Sequence, residues 1–247
     1  MMFRRRASCG LAAAVCAGTF SSALPTAAVA GSFQVTPVQV SVPHDRPVSA
    51  ITIKNSAQDP VSIRVVTYRW SQQQGEDVYT EANDVLVSPP IFTIAPDKVQ
   101  VVRVGLRKAS SEAEASYRIF LEEIPNAAIP SQGIRTVLRL NLPFYKLPKA
   151  KSAAEVRWTA IRLDNGAIEL RAANQGALHD QINRIDLRNA GGTVQPLVEK
   201  AGVVLPASMR IWRTAPGRAA PIGAHLSLVV VRPTGSEMVE AIVQDGR

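Results

Sequence analysis

The chain has 247 residues, of which 46% are hydrophobic and 19% charged, and its formal net charge is +8. The lysine and arginine residues are spread along the sequence and form no basic run interleaved with aromatic residues, which argues against a nucleic-acid-binding protein. A solvated basic surface that aids solubility is the simpler interpretation of this charge, although a partner with acidic patches or a free carboxylate fits it as well.

The first 30 residues have the pattern of a secretory signal peptide. Arg4, Arg5 and Arg6 precede an apolar stretch over residues 11–20, and residues 28–30 (Ala-Val-Ala) form a small-x-small cleavage site. The apolar stretch is too short, and too broken by Ser and Thr, for a membrane anchor. We therefore predict cleavage after Ala30 and no membrane insertion later in the chain.

Removal of this segment would leave a net charge of +5, because it holds three arginines and no acidic residue. Both cysteines, Cys9 and Cys16, would also be lost. The mature protein is then expected in an oxidising compartment without any disulfide, so that its stability must come from a hydrophobic core.

Short β-rich segments follow one another after the signal peptide, and no segment has the pattern of a long helix. A Pro89-Pro90 pair predicts a segment that passes from one sheet to another. The number of strands and the spacing of the turns are typical of an immunoglobulin-like sandwich. The predicted strands are 33–42, 48–54, 61–70, 85–87, 91–94, 99–106, 117–124 and about 134–145.

The second part of the sequence has the same all-β pattern. A short basic interruption at residues 148–153 is the best boundary, so we predict a first domain over residues 31–148 and a second, smaller β-sandwich over residues 149–247. Strands are predicted in the second domain at 155–162, 167–173, 182–187, 208–212, 225–231 and 239–243.

The segment LRLNLPFY, residues 138–145, is an unusual strand. Apolar residues alternate with Arg139, Asn141 and Pro143, which gives the strand one apolar face. A proline near its end favours an edge strand, because proline cannot donate a ladder hydrogen bond. Exposed apolar edges promote aggregation, and proteins usually cover them. We therefore expect another protein segment to cover the edge of this strand.

No pattern of a catalytic or metal site is present. His44, His179 and His225 are far apart, and each is expected to be solvated or lightly packed. The sequence contains no HExxH, CxxC, G-x-S-x-G or glycine-rich phosphate loop. Glu122 and Glu123 are neighbours on opposite faces of a strand, so their carboxylates do not converge. We predict neither enzymatic activity nor a cofactor nor a metal.

Several arginines alternate with apolar residues inside predicted strands. An exposed strand face explains most such residues. In a cleft between two β domains, however, an arginine can hold a carboxylate through charge-assisted bidentate hydrogen bonds. The residues with this pattern are Arg103, Arg118, Arg135 and Arg139.

Taken in order, these segments resemble the periplasmic pilus-assembly chaperones of the chaperone–usher pathway. The resemblance covers most of residues 33–148 and is weaker in the second domain. The segments look more like the archaic or alternative branch of the family, which assembles spore-coat-like or thin pili. The segments that carry it are FQVTPVQVSV, ITIKNSAQDPVSIRVVTYRW, SPPIFTIAPDKVQVVRVGLR, YRIFLEEIP and LRLNLPFYKLP.

The resemblance implies two immunoglobulin-like domains set at an angle in a boomerang, in the periplasm and without a cofactor. Such chaperones hold pilin subunits that lack a strand, fill the groove of the subunit with their own seventh strand, and deliver it to an outer-membrane usher. Carried over to this sequence, the donor-strand residues are Ile134, Thr136, Leu138, Leu140 and Leu142. Of these, we expect Leu142, together with Phe144, to pack on its own sheet and the earlier residues to be donated.

Well-studied members of the family bind the C-terminal carboxylate of the subunit with an Arg in the first strand and a Lys in the seventh. The corresponding positions here fall near Pro37 and at residues 141–143, and neither is basic. Arg118 is the first substitute as carboxylate anchor, followed by Arg139 and Arg103.

Two other classes of protein remain open on the sequence alone. A secreted adhesin or structural pilus component would show a disordered N-terminal donor segment and an incomplete domain, and a carbohydrate-binding β-sandwich would show a patch of exposed aromatic residues. Aromatic residues make up only 5% of the chain. An unoccupied apolar edge also favours a self-capped homodimer when no subunit is bound.

Overall fold

The computed structural model describes residues 33–107, 112–125, 136–216 and 220–246. The described residues form nineteen β-strands, which confirms the all-β prediction. The first ten are β1 (Phe33–Thr36), β2 (Val40–Val42), β3 (Val48–Asn55), β4 (Val61–Gln73), β5 (Glu76–Glu81), β6 (Val85–Ser88), β7 (Ile91–Ile94), β8 (Val99–Leu106), β9 (Ala115–Ile124) and β10 (Arg139–Lys146). The other nine are β11 (Val156–Arg162), β12 (Ile168–Asn174), β13 (Asp180–Ile182), β14 (Arg184–Arg188), β15 (Val194–Val198), β16 (Gly202–Val204), β17 (Ser208–Arg213), β18 (His225–Arg232) and β19 (Gly235–Asp245).

Strands β1–β10, here called the first domain, form two sheets that enclose one hydrophobic core. One sheet has the order β1-β3-β8-β6, and the other has the order β2-β10-β9-β4-β5, with β7 also paired to β4. Both sheets bury alternate side chains, as the period of two in the sequence predicts. Among the described residues, the apolar side chains with 0% exposure are Ile51, Ile53, Val102 and Val104 in the first sheet, and Ile63, Ile119, Leu121 and Phe144 in the second.

Prolines mark two of the places where the chain passes between these sheets. The predicted strand 33–42 is interrupted near Pro37, so that β1 lies in the four-stranded sheet and β2 in the six-stranded one. The segment at Pro89-Pro90 connects β6 and β7, which also lie in different sheets, and this confirms the predicted change of sheet. Proline ends ladder pairing because it lacks an N–H donor.

Strands β11–β19, here called the second domain, form a seven-stranded sheet of order β15-β14-β18-β19-β11-β12-β17 and the small pair β13-β16. Two of these strands, β15 and β16, lie where no strand was predicted, because their short segments lack a clear alternation. The core of the domain includes Ile168, Leu170, Ile182, Ile185, Leu228 and Val230.

Neither a membrane span nor a metal cluster is found in the part of the chain that the structure describes. No helix there is long and apolar enough to cross a bilayer. The His, Cys, Asp and Glu side chains of those same residues form no group of three that could hold a metal ion.

The two domains meet at the end of the β4–β5 hairpin. Trp70 and Tyr145 of the first domain pack with Val203 and Leu205 of the second in a small buried cluster. The side chain of Gln72 donates a hydrogen bond to the Val203 carbonyl (2.7 Å) and accepts one from the Leu205 amide (3.0 Å). One amide side chain therefore satisfies a donor and an acceptor across the junction.

The junction leads to a first prediction. Gln72→Ala leaves the Val203 carbonyl and the Leu205 amide without their partner, which should lower the free energy of unfolding by about 1–3 kcal/mol. Urea unfolding, together with limited proteolysis of the inter-domain segment, measures the loss. Gln73→Ala is the matched control, because the neighbouring side chain is exposed. Equal stability of the two variants would show that Gln72 does not hold the domains together.

Lys146, the last residue of β10, is the largest buried polar side chain among the described residues of the first domain. It shares a strand face with Leu142 and Phe144 and is only 2% exposed. Its ammonium group has no hydrogen-bond partner among the described residues. Burial lowers the pKa of Lys146 from its ordinary value, because a charged group is less stable away from water.

Replacement of this buried ammonium by an apolar side chain of similar length should stabilise the domain. We expect Lys146→Met to raise the free energy of unfolding at pH 7 by about 1–3 kcal/mol. The exposed residue Lys54 provides the control Lys54→Met, which should change stability little.

The same lysine predicts a dependence on pH. The unfolded chain holds this proton more tightly than the folded one, so the stability of the native protein should rise as pH increases from the lowered pKa towards about 10.4. Lys146→Met should lack this rise. Urea unfolding of both proteins between pH 7 and 10.5 tests it, and parallel pH profiles would contradict it.

Candidate functional site

The candidate site begins at the edge of β10. This strand pairs with β9 along its whole length, but with β2 only through Phe144, Tyr145 and Lys146. The other side of residues 139–143 therefore has no neighbouring strand among the described residues. Its backbone N–H and C=O groups form an open row that a further strand can pair with.

The segment before β10 is held close to β9 without being a strand itself. The Leu138 amide donates to the Glu123 carboxylate (3.1 Å), and the Glu123 amide donates to the Leu138 carbonyl (3.0 Å). In the described residues β10 thus begins at Arg139, later than the predicted start near residue 134. The prediction that residues 136–138 belong to this strand was wrong, because β10 begins at Arg139.

The predicted donor residues differ in burial along this segment. Ile134 lies outside the described residues. Thr136 is exposed, whereas Leu138 and Leu140 are half-buried and pack against the margin of the core. Leu142 is 5% exposed and belongs to the core itself. The apolar face therefore continues outward from the core past the free edge of β10.

The outer face of the six-stranded sheet carries a group of aromatic side chains beside this edge. Tyr68 and Tyr79 both meet the Phe120 ring edge-on, at 5.3 and 6.1 Å between ring centroids. Nearer the second domain, the rings of Trp70 and Tyr145 are 6.2 Å apart. Alternation in β4, β5, β9 and β10 brings all five residues to one face. They surround Arg118 and Arg139.

Arg118 lies at the centre of this face. Its guanidinium carbon is 3.6 Å from the centre of the Trp70 ring, a close cation–π contact. Its Nε is buried and has no hydrogen-bond partner among the described residues. In the ladders Arg118 is opposite Pro143 of β10 on one side and Tyr68 of β4 on the other. It therefore sits one strand away from the free edge.

Arg118 forms no ion pair with a carboxylate of the described residues, and Asp77, which acts on the same tyrosines as Arg118, has other partners. Asp77 accepts hydrogen bonds from Trp70 Nε1 (3.0 Å), Gln72 (3.0 Å) and Arg210 of the second domain (2.6 Å). Burial alone would raise the pKa of Asp77, but the hydrogen bonds from Gln72 and Trp70 and the charge of Arg210 outweigh burial and lower it. Asp77 is thus an ionised carboxylate that already has its partners.

The phenol groups near Arg118 are neutral. Burial raises the pKa of Tyr145, and the positive charge of Arg118 only partly opposes this effect. Burial and the charge of Asp77 also raise the pKa of Tyr79, again against Arg118. Neither phenol supplies a negative charge at neutral pH. The guanidinium of Arg118 remains available to an anion from outside the chain.

The other two candidate arginines have different surroundings. Arg139 lies on the same face, but its Nε is 3.0 Å from the Glu122 carboxylate and its guanidinium lies over Phe120 at 4.2 Å. Arg103 is exposed in β8 of the other sheet, so the fold does not bring it together with Arg118. Arg135 lies outside the described residues.

One residue of this region was misjudged from the sequence. His179 is neither solvated nor lightly packed, because its ring stacks on Tyr145 with 3.9 Å between centroids. Its Nδ1 also lies 2.8 Å from each carboxylate oxygen of Glu114. The contact joins residues 65 positions apart, and no local pattern in the sequence signals it.

Comparisons with known proteins agree with this geometry. Residues 32–151 match the family model described as pili and flagellar-assembly chaperone, PapD N-terminal domain. No curated protein sequence matches the chain significantly. The family assignment therefore comes from the family model and from solved structures.

Three solved structures illustrate the similarity of fold. The CsuC–CsuE chaperone–tip adhesion subunit pre-assembly complex from the archaic Csu pili of Acinetobacter baumannii has a chain with 17% identity and a TM-score of 0.65, covering 87% of this chain and 100% of its own. The E. coli chaperone DraB has 17% identity and a TM-score of 0.60, covering 87% and 98%. The Salmonella enterica SafA pilin–SafB chaperone complex gives 14% identity and a TM-score of 0.62, covering 87% and 98%.

These matches extend over both domains, so the two-domain all-β fold is that of the chaperones. The family consists of assembly chaperones rather than enzymes, which confirms the prediction that the chain is not an enzyme. The free strand edge, the family match over residues 32–151 and the two-domain fold lead to one assignment: the chain belongs to the PapD-like pilus chaperones of the chaperone–usher pathway.

Proposed function

We propose that this protein is a periplasmic chaperone that binds pilin subunits by donor-strand complementation and delivers them to an outer-membrane usher. The observation that carries the proposal is the free edge of β10, which offers open backbone groups at residues 139–143 beside a row of alternating apolar side chains. An incomplete immunoglobulin-like subunit needs both features from a donated strand.

Residues before Leu142 supply the donated side chains. Leu138 and Leu140 are half-buried at the margin of the core, and Thr136 is exposed, so these positions can turn to a groove in a partner. We assign Ile134 to the same set because it continues the alternation upstream. Leu142 joins the donor strand to the chaperone core, since it is already packed there.

The solved complexes support the choice of client. CsuC is described in complex with the tip adhesion subunit CsuE, and SafB in complex with the SafA pilin. By analogy, the client of this chain is a pilin or a tip adhesin of a related pilus. We place the chain in the archaic or alternative branch, as the sequence motifs indicate.

Secretion and domain organisation complete the proposal. Residues 1–30 act as a cleaved signal peptide, residues 31–148 form the domain that carries the donor strand, and residues 149–247 form the second domain. Delivery to an usher follows from the pathway to which the family belongs. In the absence of a client, two copies cap each other's free β10 edges as a homodimer.

Arg118 is proposed to hold the C-terminal carboxylate of the client. Three features support this role: its position next to β10, its contact with the Trp70 ring, and the lack of an ion pair between it and any carboxylate of the described residues. A guanidinium fixed on an aromatic ring has little conformational freedom to lose when it binds a planar carboxylate. Arg139 is the second candidate for this role, because its guanidinium already forms an ion pair with Glu122.

The donor strand is tested by co-expression with the small secreted proteins encoded beside the gene. Leu140→Asp places a charge where an apolar groove is expected, which should lower client affinity by about 100-fold or more and leave no co-purified client. Val137→Asp, at an exposed position of the alternate face, is the matched control and should retain the client. Client capture by Leu140→Asp at the native level would refute donation of this strand.

The anchor is tested in the same assay. Arg118→Glu replaces attraction of the client carboxylate by repulsion, and we expect capture to be abolished, because hydrogen bonds between charged groups contribute about 1.5–3 kcal/mol. Arg103→Glu makes the same change on the other sheet and should have no effect. Unchanged co-purification with Arg118→Glu would remove Arg118 as the anchor.

A further inference from the structure

A series of stacked side chains connects the second domain to Arg118. The ring of His179 lies nearly parallel to that of Tyr145, at 9° and 3.9 Å between centroids. The Tyr145 ring packs against the Trp70 ring, with 6.2 Å between their centroids. The guanidinium carbon of Arg118 lies over the Trp70 ring, 3.6 Å from its centre. Each member restricts the next, since close-packed rings cannot shift independently.

His179 is itself held firmly. Its Nδ1 lies 2.8 Å from both carboxylate oxygens of Glu114, whose side chain is 0% exposed, while the imidazole is 16% exposed. The Ser116 hydroxyl, 3.4 Å from the same carboxylate, is a weaker contact. A fully buried carboxylate requires strong partners, so Glu114 fixes the imidazole ring in its position on Tyr145.

The second domain also restrains the Trp70 indole N–H through Asp77. Trp70 Nε1 donates to Asp77 (3.0 Å), and the same Asp77 oxygen accepts a hydrogen bond from Arg210 of β17 (2.6 Å). The indole is therefore restrained through Tyr145 by His179 and through Asp77 by Arg210. Both restraints come from the second domain, although Arg118 and Trp70 belong to the first.

We propose that His179 is a positioning residue for the carboxylate anchor. By stacking on Tyr145 it keeps the Trp70 ring in place, and the ring in turn holds the Arg118 guanidinium ready for an incoming carboxylate. The second domain thereby sets the affinity of the anchor without contacting the anion. This inference rests on the proposed role of Arg118 and extends it to the residue that orients it.

The first test uses the free protein. A guanidinium above an indole ring experiences its ring current, so the side-chain protons of Arg118 should have strong upfield NMR shifts in the native protein. We expect His179→Ala to reduce these shifts by half or more. His225→Ala is the matched control, because His225 makes a similar contact with Glu240 (2.9 Å) at an exposed place in the same domain. It should leave the Arg118 shifts unchanged.

Two further variants separate loss of the ring from damage to the fold. The double variant His179→Ala with Glu114→Gln removes the buried charge that the single variant leaves unpaired, and should also lose the Arg118 shifts. His179→Phe with Glu114→Gln keeps an aromatic ring on Tyr145 and should restore them. Native-like Arg118 shifts in either alanine variant, or no restoration by phenylalanine, would overturn the proposal.

The second test measures binding with a defined carboxylate. N-acetylglycine, titrated into the native protein, should shift the Arg118 Nε resonance, whereas N-acetylglycinamide, which lacks the charge, should not. His179→Ala should weaken the N-acetylglycine response at least about tenfold, and His225→Ala should not.

The two tests distinguish failure of this inference from failure of the anchor. No response of native Arg118 to N-acetylglycine, together with loss of its upfield shifts in His179→Ala, would overturn the anchor and leave the positioning in place. Unchanged upfield shifts in His179→Ala would overturn the positioning, whether or not the carboxylate binds.

Discussion

The architecture of this chaperone depends on the unequal pairing of one strand. The end of β10 is fixed between β9 and β2, and Phe144 and Lys146 of this end are buried in the core. Its beginning pairs with β9 alone, and Leu140 there is only half-buried. An edge that is anchored at one end can be offered at the other without unfolding the domain that carries it. The stability of the sandwich and the availability of its edge are therefore compatible properties of a single strand.

The junction between the domains places charged and aromatic groups close to that edge. Gln72 and Asp77 of the β4–β5 hairpin contact the second domain directly, and His179 contacts Tyr145 and Glu114 in return. These contacts are polar or stacked rather than a broad apolar interface, so their geometry is directional. A directional junction fixes the outer face of the six-stranded sheet relative to the second domain. On the proposed role of Arg118, the second domain supports the side chains that hold the anchor.

The sequence predicts the fold far better than the site. Period-two alternation, the Pro89-Pro90 pair and the apolar face of residues 138–145 are local patterns, and they led to the all-β fold, the change of sheet and the edge strand. The surroundings of Arg118 are not local: Trp70, Pro143 and Tyr145 reach it from other strands, and only the register of β9 brings them together. His179 was misjudged for the same reason, since an isolated histidine gives no sign of a contact across a domain junction. Arg103, Arg118 and Arg139 look alike in sequence. Topology places Arg103 on the other sheet, and the ion pair with Glu122 distinguishes Arg139 from Arg118.

On the proposed role of Arg118, its position also compensates for the basic residue that is missing near residues 141–143 of β10. Where the family resemblance implies a lysine near residues 141–143, this chain has Asn141 and Pro143, and Pro143 is directly opposite Arg118 in the β9–β10 ladder. Neighbouring strands are about 4.8 Å apart, a distance that the long arginine side chain easily spans. A positive charge moved from the edge strand to the adjacent strand can therefore serve the same anion. Neither Asn141 nor Pro143 carries a charge, so at this position of the β9–β10 ladder the positive charge is the Arg118 guanidinium that lies on Trp70.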